Sequence, residues 1–302
     1  MSSPGRLPAA LWMRARTLVQ LRLLRRTPIV IYQMGKVGSR SIYDSLRAQG
    51  IGPAIHVHRM NPAHIAAVAE RNRRAGRPPP TGDVLGPLLY QQAVKRGRPL
   101  EVITLVRDPV ARNWSAFFEN LDRFAGPLSD RQRLDPSELR RLFLEVYPHE
   151  IPLTWFDDEF RAALGIDVYA TPFPHRKGWL EIDAGPHRAL ILKLEAGDAV
   201  IEEAVGAFLG QPGFRLQRTN VGVEKPYARL YDEVTGSLRL SEEYLTRMYE
   251  SRLATHFYSA AEIAAFRERW GGGSDSAPAD DIAPRTAGEA GRNPETEGSP
   301  GS

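Results

Sequence analysis

The chain has no cysteine, and only five of its 40 basic residues are lysine (Lys36, Lys95, Lys177, Lys193, Lys225). The first absence removes disulfides, thiolate zinc sites and a cysteine nucleophile together, and it gives no sign of an oxidising compartment. The second makes each lysine conspicuous: a chain that writes its positive charge as arginine nearly everywhere has a lysine at position 36. Long apolar runs are missing too. No stretch reaches the roughly 18–20 residues that a spanning helix needs. The N-terminal leucines are interrupted by arginines and form no signal-peptide core. Residues 271–302 hold no aromatic and a single isoleucine, too little to bury, and read as a disordered acidic tail.

What is present suffices for one sizeable core, or a core with a small subdomain: 302 residues, 42% of them hydrophobic. The net charge is +4, but the tail's six acids and two bases give it −4, so the rest of the chain carries +8. A basic body suits polyanionic partners. Residues 1–27 form a basic segment, with Arg6, Arg14, Arg16, Arg22, Arg25 and Arg26 around Leu11, Trp12, Leu18 and Leu21. It reads as an amphipathic helix, docked on the domain or lying on a membrane surface. The expectation is a cytoplasmic protein, with peripheral contact at the inner membrane face open to that segment. No aromatic-basic interleaving points to nucleic acid.

Apolar, β-branched runs at 29–33, 54–58, 102–106 and 189–194 read as buried strands separated by helical patterns at about 83–96, 110–124, 136–147, 150–163 and 198–209. Residues 226–270 keep helical spacing, and 166–186 read as irregular. The pattern predicts an α/β fold: a single domain over 28–270, with a central parallel sheet flanked by helices and a helical C-terminal part. In such sheets ligands bind beyond the carboxyl ends of the strands.

Three features fall at those ends. The first is the turn Gly35-Lys36-Val37-Gly38-Ser39-Arg40-Ser41, between the first strand and a helix. Its glycines permit close backbone approach to a phosphate, Lys36 brings a mobile charge, and Ser39 and Ser41 bring hydroxyls. It is not a Walker A loop, because Lys36 precedes Gly38 and Arg40 follows Ser39. A ligand-free glycine turn is the plain alternative. The second is His56-x-His58, on one face of the second strand. A hydrogen-bonded pair is the plain alternative there, and a metal site with His64 lacks a carboxylate at ligand spacing. The third is Arg107, with Ser115 eight residues on in a helix that Asp108 caps and Pro109 opens. An arginine fork and a hydroxyl so spaced can clamp one phosphate.

Gly35–Ser41 followed by Val106-Arg107-Asp108-Pro109-Val110-Ala111-Arg112-Asn113-Trp114-Ser115-Ala116-Phe117 resembles the two signatures of the sulfotransferases that use 3′-phosphoadenosine-5′-phosphosulfate (PAPS). The likeness extends loosely over residues 28–270. It is nearest to a bacterial group described as capsular polysaccharide synthesis proteins, which are similar to carbohydrate sulfotransferases. It implies a P-loop-like sulfotransferase fold and sulfuryl transfer from PAPS to a carbohydrate hydroxyl, leaving 3′-phosphoadenosine-5′-phosphate (PAP), with no metal expected. Carried onto this chain, Gly35, Lys36, Val37, Gly38, Ser39, Arg40 and Ser41 would hold the 5′ end, and Arg107 and Ser115 the 3′-phosphate. Lys36 would stabilise the leaving phosphate. His58 would be the base, with His56 orienting it or touching the acceptor and Glu119 in reserve. Lys225 matches a basic loop that closes over the nucleotide in composition only. Against this stand a nucleotide phosphotransferase, which would need Mg²⁺ ligands, and a catalytically degenerate nucleotide-binding module. Trp114 and Phe118 are read as core, and the arginines of 71–77 as a solvated helix face or a hold for an acidic glycan.

Overall fold

A computed structural model describes residues 27–76, 85–125, 136–217 and 228–272. The basic segment up to residue 26, the tail from 273 and Lys225 lie outside these residues. Five strands form one sheet: β1 (Ile29–Tyr32), β2 (Ala54–Val57), β3 (Leu100–Val106), β4 (Trp179–Ala184) and β5 (His187–Lys193). Their order is β2-β1-β3-β5-β4. The first four in that order run parallel, and β4 pairs antiparallel with β5.

The four parallel strands are those the sequence predicts: β1, β3 and β5 lie inside the sheet and read as runs of Ile, Val and Leu, while β2, at one edge, alternates half-buried Ala54 and His56 with buried Ile55 and Val57. β4 corrects the expectation of an irregular 166–186 and of a purely parallel sheet. Trp179-Leu180-Glu181-Ile182 is only half-buried at the sheet edge, so it lacks the continuous apolar signal. Gly185, at φ +60°, opens the two-residue turn that returns the chain into β5.

The helices are α1 (Ser39–Ala48), α2 (Pro62–Arg74), α3 (Leu85–Gln92), α4 (Pro109–Glu119), α5 (Pro136–Val146), α6 (Ile151–Trp155), α7 (Asp198–Leu209), α8 (Ala228–Ser237), α9 (Glu242–Tyr249), α10 (Arg252–Phe257) and α11 (Ala260–Trp270). One buried cluster surrounds the sheet and takes in Tyr32, Trp155, Phe156 and Phe160. A second lies between helices, where Trp114, Phe117, Phe118 and Phe143 meet α8, α9 and Trp270. Trp114 and Phe118 are core, as expected, and the indole N–H of Trp114 donates to Thr235 Oγ1 (2.7 Å).

The order of the strands places the ligand end. β2 adds to one side of β1 and β3 to the other, so the crevice between the β1 and β3 ends is the topological switch point, where open α/β sheets bind ligands.

Candidate functional site

The switch point is lined by the turn after β1. Gly35, Lys36 and Gly38 all lie at positive φ (88°, 63° and 79°), and Lys36 is the one non-glycine to do so among the described residues. A side chain at positive φ costs about 1 kcal/mol and gathers at functional sites. Gly38 serves a second purpose: a Cβ there would lie 2.7 Å from Leu194 Cδ1, so the end of β5 packs directly onto the turn. The turn delivers the chain into α1, whose N-terminus therefore opens at the crevice.

Two arginines hold this turn. Arg107, at the end of β3, donates from Nη1 to the Lys36 carbonyl (3.0 Å). Arg112, one turn into α4 and only 4% exposed, donates to the carbonyls of Gly35 (Nε, 3.1 Å) and Met34 (Nη2, 2.7 Å). Its remaining arm reaches Asn113 Oδ1 (2.9 Å) and Tyr147 Oη (2.8 Å). Arg112, Ser115 and Glu119 follow at helical spacing and share a face of α4. Both ends of that stripe touch the turn, since Glu119 Oε2 lies 3.1 Å from Lys36 Nζ. Half-buried Ser115 thus sits on the stripe that addresses the cradle.

The histidines meet the same turn through Gln33. Its side-chain carbonyl accepts from the Gly35 N–H, and its amide nitrogen lies 2.9 Å from His58 Nδ1 and 3.2 Å from His56 Nε2. The Gln33 main-chain carbonyl is 3.1 Å from the same His58 Nδ1. His58 Nδ1 therefore has an acceptor beside it when protonated and a donor when not. His56 Nε2 is also 3.0 Å from Ser39 Oγ, and burial lowers its pKa to about 4, helped by the nearby His58, so it is neutral at physiological pH.

On the far side of Arg107 the polar groups are acidic. Asp108 caps α4 through the Val110 N–H (3.0 Å) and accepts from Tyr249 Oη (2.9 Å) and Trp270 Nε1 (2.9 Å). Its backbone N–H donates to Glu195 (2.8 Å), whose other oxygen accepts from Tyr258 Oη (3.0 Å). Desolvation raises both carboxyl pKa values. Glu195 retains exposed surface while its two carboxylate oxygens are engaged by the Asp108 N–H and the Tyr258 hydroxyl.

A further carboxylate, Glu159, is fully buried in the π-helical turn Phe156–Arg161. It accepts from Tyr32 Oη and from the N–H groups of Met60 and Asn61, fixing the loop after β2, and it faces His64 Nδ1 at 3.2 Å. Burial raises its pKa.

The structure thus draws Gly35–Ser41, Arg107, His56, His58 and Glu119 together. Gln33, Arg112, Glu159 and Glu195 belong to the same neighbourhood, and the sequence reading passed over them. Gln33 could have been noticed as the polar residue that ends an apolar strand. Arg112 could have been noticed as a charge one turn into a helix that is otherwise mostly apolar. Lys193 is a structural residue, tied to Glu262 (2.6 Å) and the His175 carbonyl (3.0 Å). Arg73 and Arg74 pair with Glu70, which accords with a solvated helix face. Among the described residues no three His, Asp or Glu side chains are grouped as a metal site, His56, His58 and His64 included. No helix among them is long and apolar enough to cross a membrane.

A family model described as "Putative capsular polysaccharide synthesis protein" (NKWYS) matches residues 138–259. That stretch runs from α5 to the start of α11 and contains Glu159, Glu195, Tyr249 and Tyr258, but neither the cradle nor Arg107. No curated protein and no solved structure matches the chain.

Proposed function

We propose that the chain is a PAPS-dependent sulfotransferase of P-loop-like fold that acts on a carbohydrate or polysaccharide hydroxyl. The observation that carries this reading is the bond from Arg107 to the Lys36 carbonyl. It joins the two stretches that resemble phosphate-binding signatures, through residues 71 apart in sequence, at the β1/β3 switch point. The description of the family model matched over 138–259 supports a polysaccharide as the acceptor.

In this reading Gly35–Ser41 hold the 5′-phosphosulfate, and Arg107 and Ser115 hold the 3′-phosphate. The acceptor oxygen attacks sulfur, and the bond from sulfur to the bridging oxygen breaks. Its electron pair stays on the 5′-phosphate, where Lys36 offsets the growing charge. The acceptor proton passes to His58. With Nδ1 committed to Gln33, Nε2 is the accepting nitrogen, and the Gln33 carbonyl stabilises the imidazolium that forms. His56, kept neutral by burial, links the cradle hydroxyl of Ser39 to the same glutamine. Lys36 must first leave Glu119, whose freed carboxylate is the reserve base of this reading. Lys225 would close over the nucleotide, by the same resemblance.

Isothermal titration with PAP, compared with ADP–Mg²⁺, tests the donor. Preference for PAP, lost in Arg107→Ala, is the expected result. Tighter ADP–Mg²⁺ binding would point to a phosphotransferase instead. PAP binding without turnover on any acceptor, and with His58→Ala and Lys36→Ala indistinguishable from wild type, would leave a non-catalytic nucleotide module.

A further inference from the structure

Arg112 carries a charge that the fold leaves unanswered. The residue is 4% exposed, and its guanidinium is bonded to two backbone carbonyls, a side-chain amide and a phenol, all of them neutral. Among the described residues no carboxylate lies within ion-pair distance of it. An arginine cannot shed its proton to escape burial, so an unpaired buried guanidinium is held at high cost unless an anion completes it.

Geometry says where that anion belongs. A Cβ on Gly35 would lie 3.7 Å from Arg112 Nη2, which puts the guanidinium directly under the cradle. Arg112 grips the carbonyls of Met34 and Gly35, and in a trans peptide the N–H points opposite to its carbonyl. The Gly35 carbonyl drawn toward Arg112 therefore turns the Lys36 N–H away from it, toward the crevice, and polarises that N–H as a donor.

We propose that Arg112 is the fixed cation of the anion site, and that its missing counter-charge is the phosphate–phosphate or phosphate–sulfate end of the ligand. This rests on reading Gly35–Ser41 as an anion cradle, not on the identity of the nucleotide. Arg112 acts here as a positioning residue, through the backbone amides it aims and the potential it sets. Lys36, on a mobile side chain paired with Glu119, is the adjustable cation above it.

The test uses the full chain, with pyrophosphate as the probe and chloride at matched ionic strength as the comparison. Melting temperature and calorimetric affinity are read for wild type, Arg112→Gln and Arg112→Lys. Pyrophosphate should raise the wild-type melting temperature beyond chloride. Arg112→Gln should bind about tenfold more weakly and lose that rise, and Arg112→Lys should recover most of both. A purely structural tie would lower the melting temperature of Arg112→Gln equally with and without pyrophosphate and leave affinity within about twofold; that result overturns the proposal. Should Arg112→Gln not fold, wild type still decides, because the absence of any pyrophosphate-specific rise overturns it as well. A parallel titration with PAP separates the two readings. Arg112-dependent pyrophosphate binding without PAP binding keeps the fixed cation and sinks the nucleotide. Equal PAP binding by wild type and Arg112→Gln does the reverse.

Discussion

Two buried charges stand four residues apart at the start of α4 and face opposite ways. Asp108 turns toward the C-terminal helices, where Tyr249 and Trp270 hold it beside Glu195. Arg112 turns toward the cradle. Both are held by neutral partners, and among the described residues neither meets an opposite charge within 4 Å. The two sides relieve that tension differently. Asp108 and Glu195 have raised pKa values, so each can move toward its neutral form by taking a proton. Arg112 has no such exit. A proton can answer the acidic side, but only an anion can answer the basic side, and the anion's place is the crevice.

The largest effect should come from breaking the acidic side. Asp108→Ala removes the cap of α4 and leaves the buried Tyr249 hydroxyl and Trp270 N–H without their acceptor, a loss of about 3–4 kcal/mol in urea unfolding. A loss below about 1 kcal/mol would mean that water replaces the carboxylate and that the two sides are not comparable.

Next is pH, where the two sides differ in sign. Asp108 and Glu195 bind protons more tightly folded than unfolded, so their contribution to stability grows as pH falls through the window between the ordinary carboxylate value and their raised values. It is lost as pH rises through that window. His56 behaves oppositely. Its pKa drops from 6.5 to about 4 on folding, so the unfolded chain takes up its proton first, and stability falls as pH is lowered from 6.5 to about 4. The effect is up to about 3 kcal/mol before solvent screening. His56→Gln should flatten the unfolding free energy over that interval. An unchanged slope would show that His56 titrates in the fold as it does unfolded.

The parallel strands and the β1 turn were legible because their signals are local: unbroken β-branched runs, then glycine at the bend. Arg107 and Ser115 could be read together because only eight residues separate the end of β3 from that position in α4. β4 was not, since Glu181 and Asp183 interrupt its apolar residues and none of its positions is fully buried, whereas β2 at the other edge still buries Ile55 and Val57. Arg112, Glu159 and Glu195 were not legible either, for a different reason. Each takes its meaning from partners distant in sequence, such as Tyr147 for Arg112 and Met60 for Glu159, and a surface Arg or Glu looks the same in the sequence.

A smaller effect separates strain from charge at the cradle. Lys36→Gly relieves the positive φ and should stabilise the fold by up to about 1 kcal/mol, while costing about tenfold in pyrophosphate affinity. If both fall together, the turn depends on the Lys36 side chain for its shape rather than storing strain beneath a mobile charge.

The smallest expected change concerns Glu119, the acid paired with Lys36. Its pair with Lys36 at 3.1 Å is partly solvated, and pairs of that kind contribute about 0–1 kcal/mol, so Glu119→Gln should leave stability nearly unchanged. Its effect belongs to binding instead. An anion that takes Lys36 must displace Glu119, so removing the carboxylate should tighten pyrophosphate binding by up to about fivefold. Unchanged affinity would mean that the anion never engages Lys36, leaving Arg112 as the cation that matters. If turnover on a carbohydrate acceptor drops while affinity rises, Glu119 is acting on the acceptor proton as well. His58, on the opposite flank of the turn, would then share or lose the role of base.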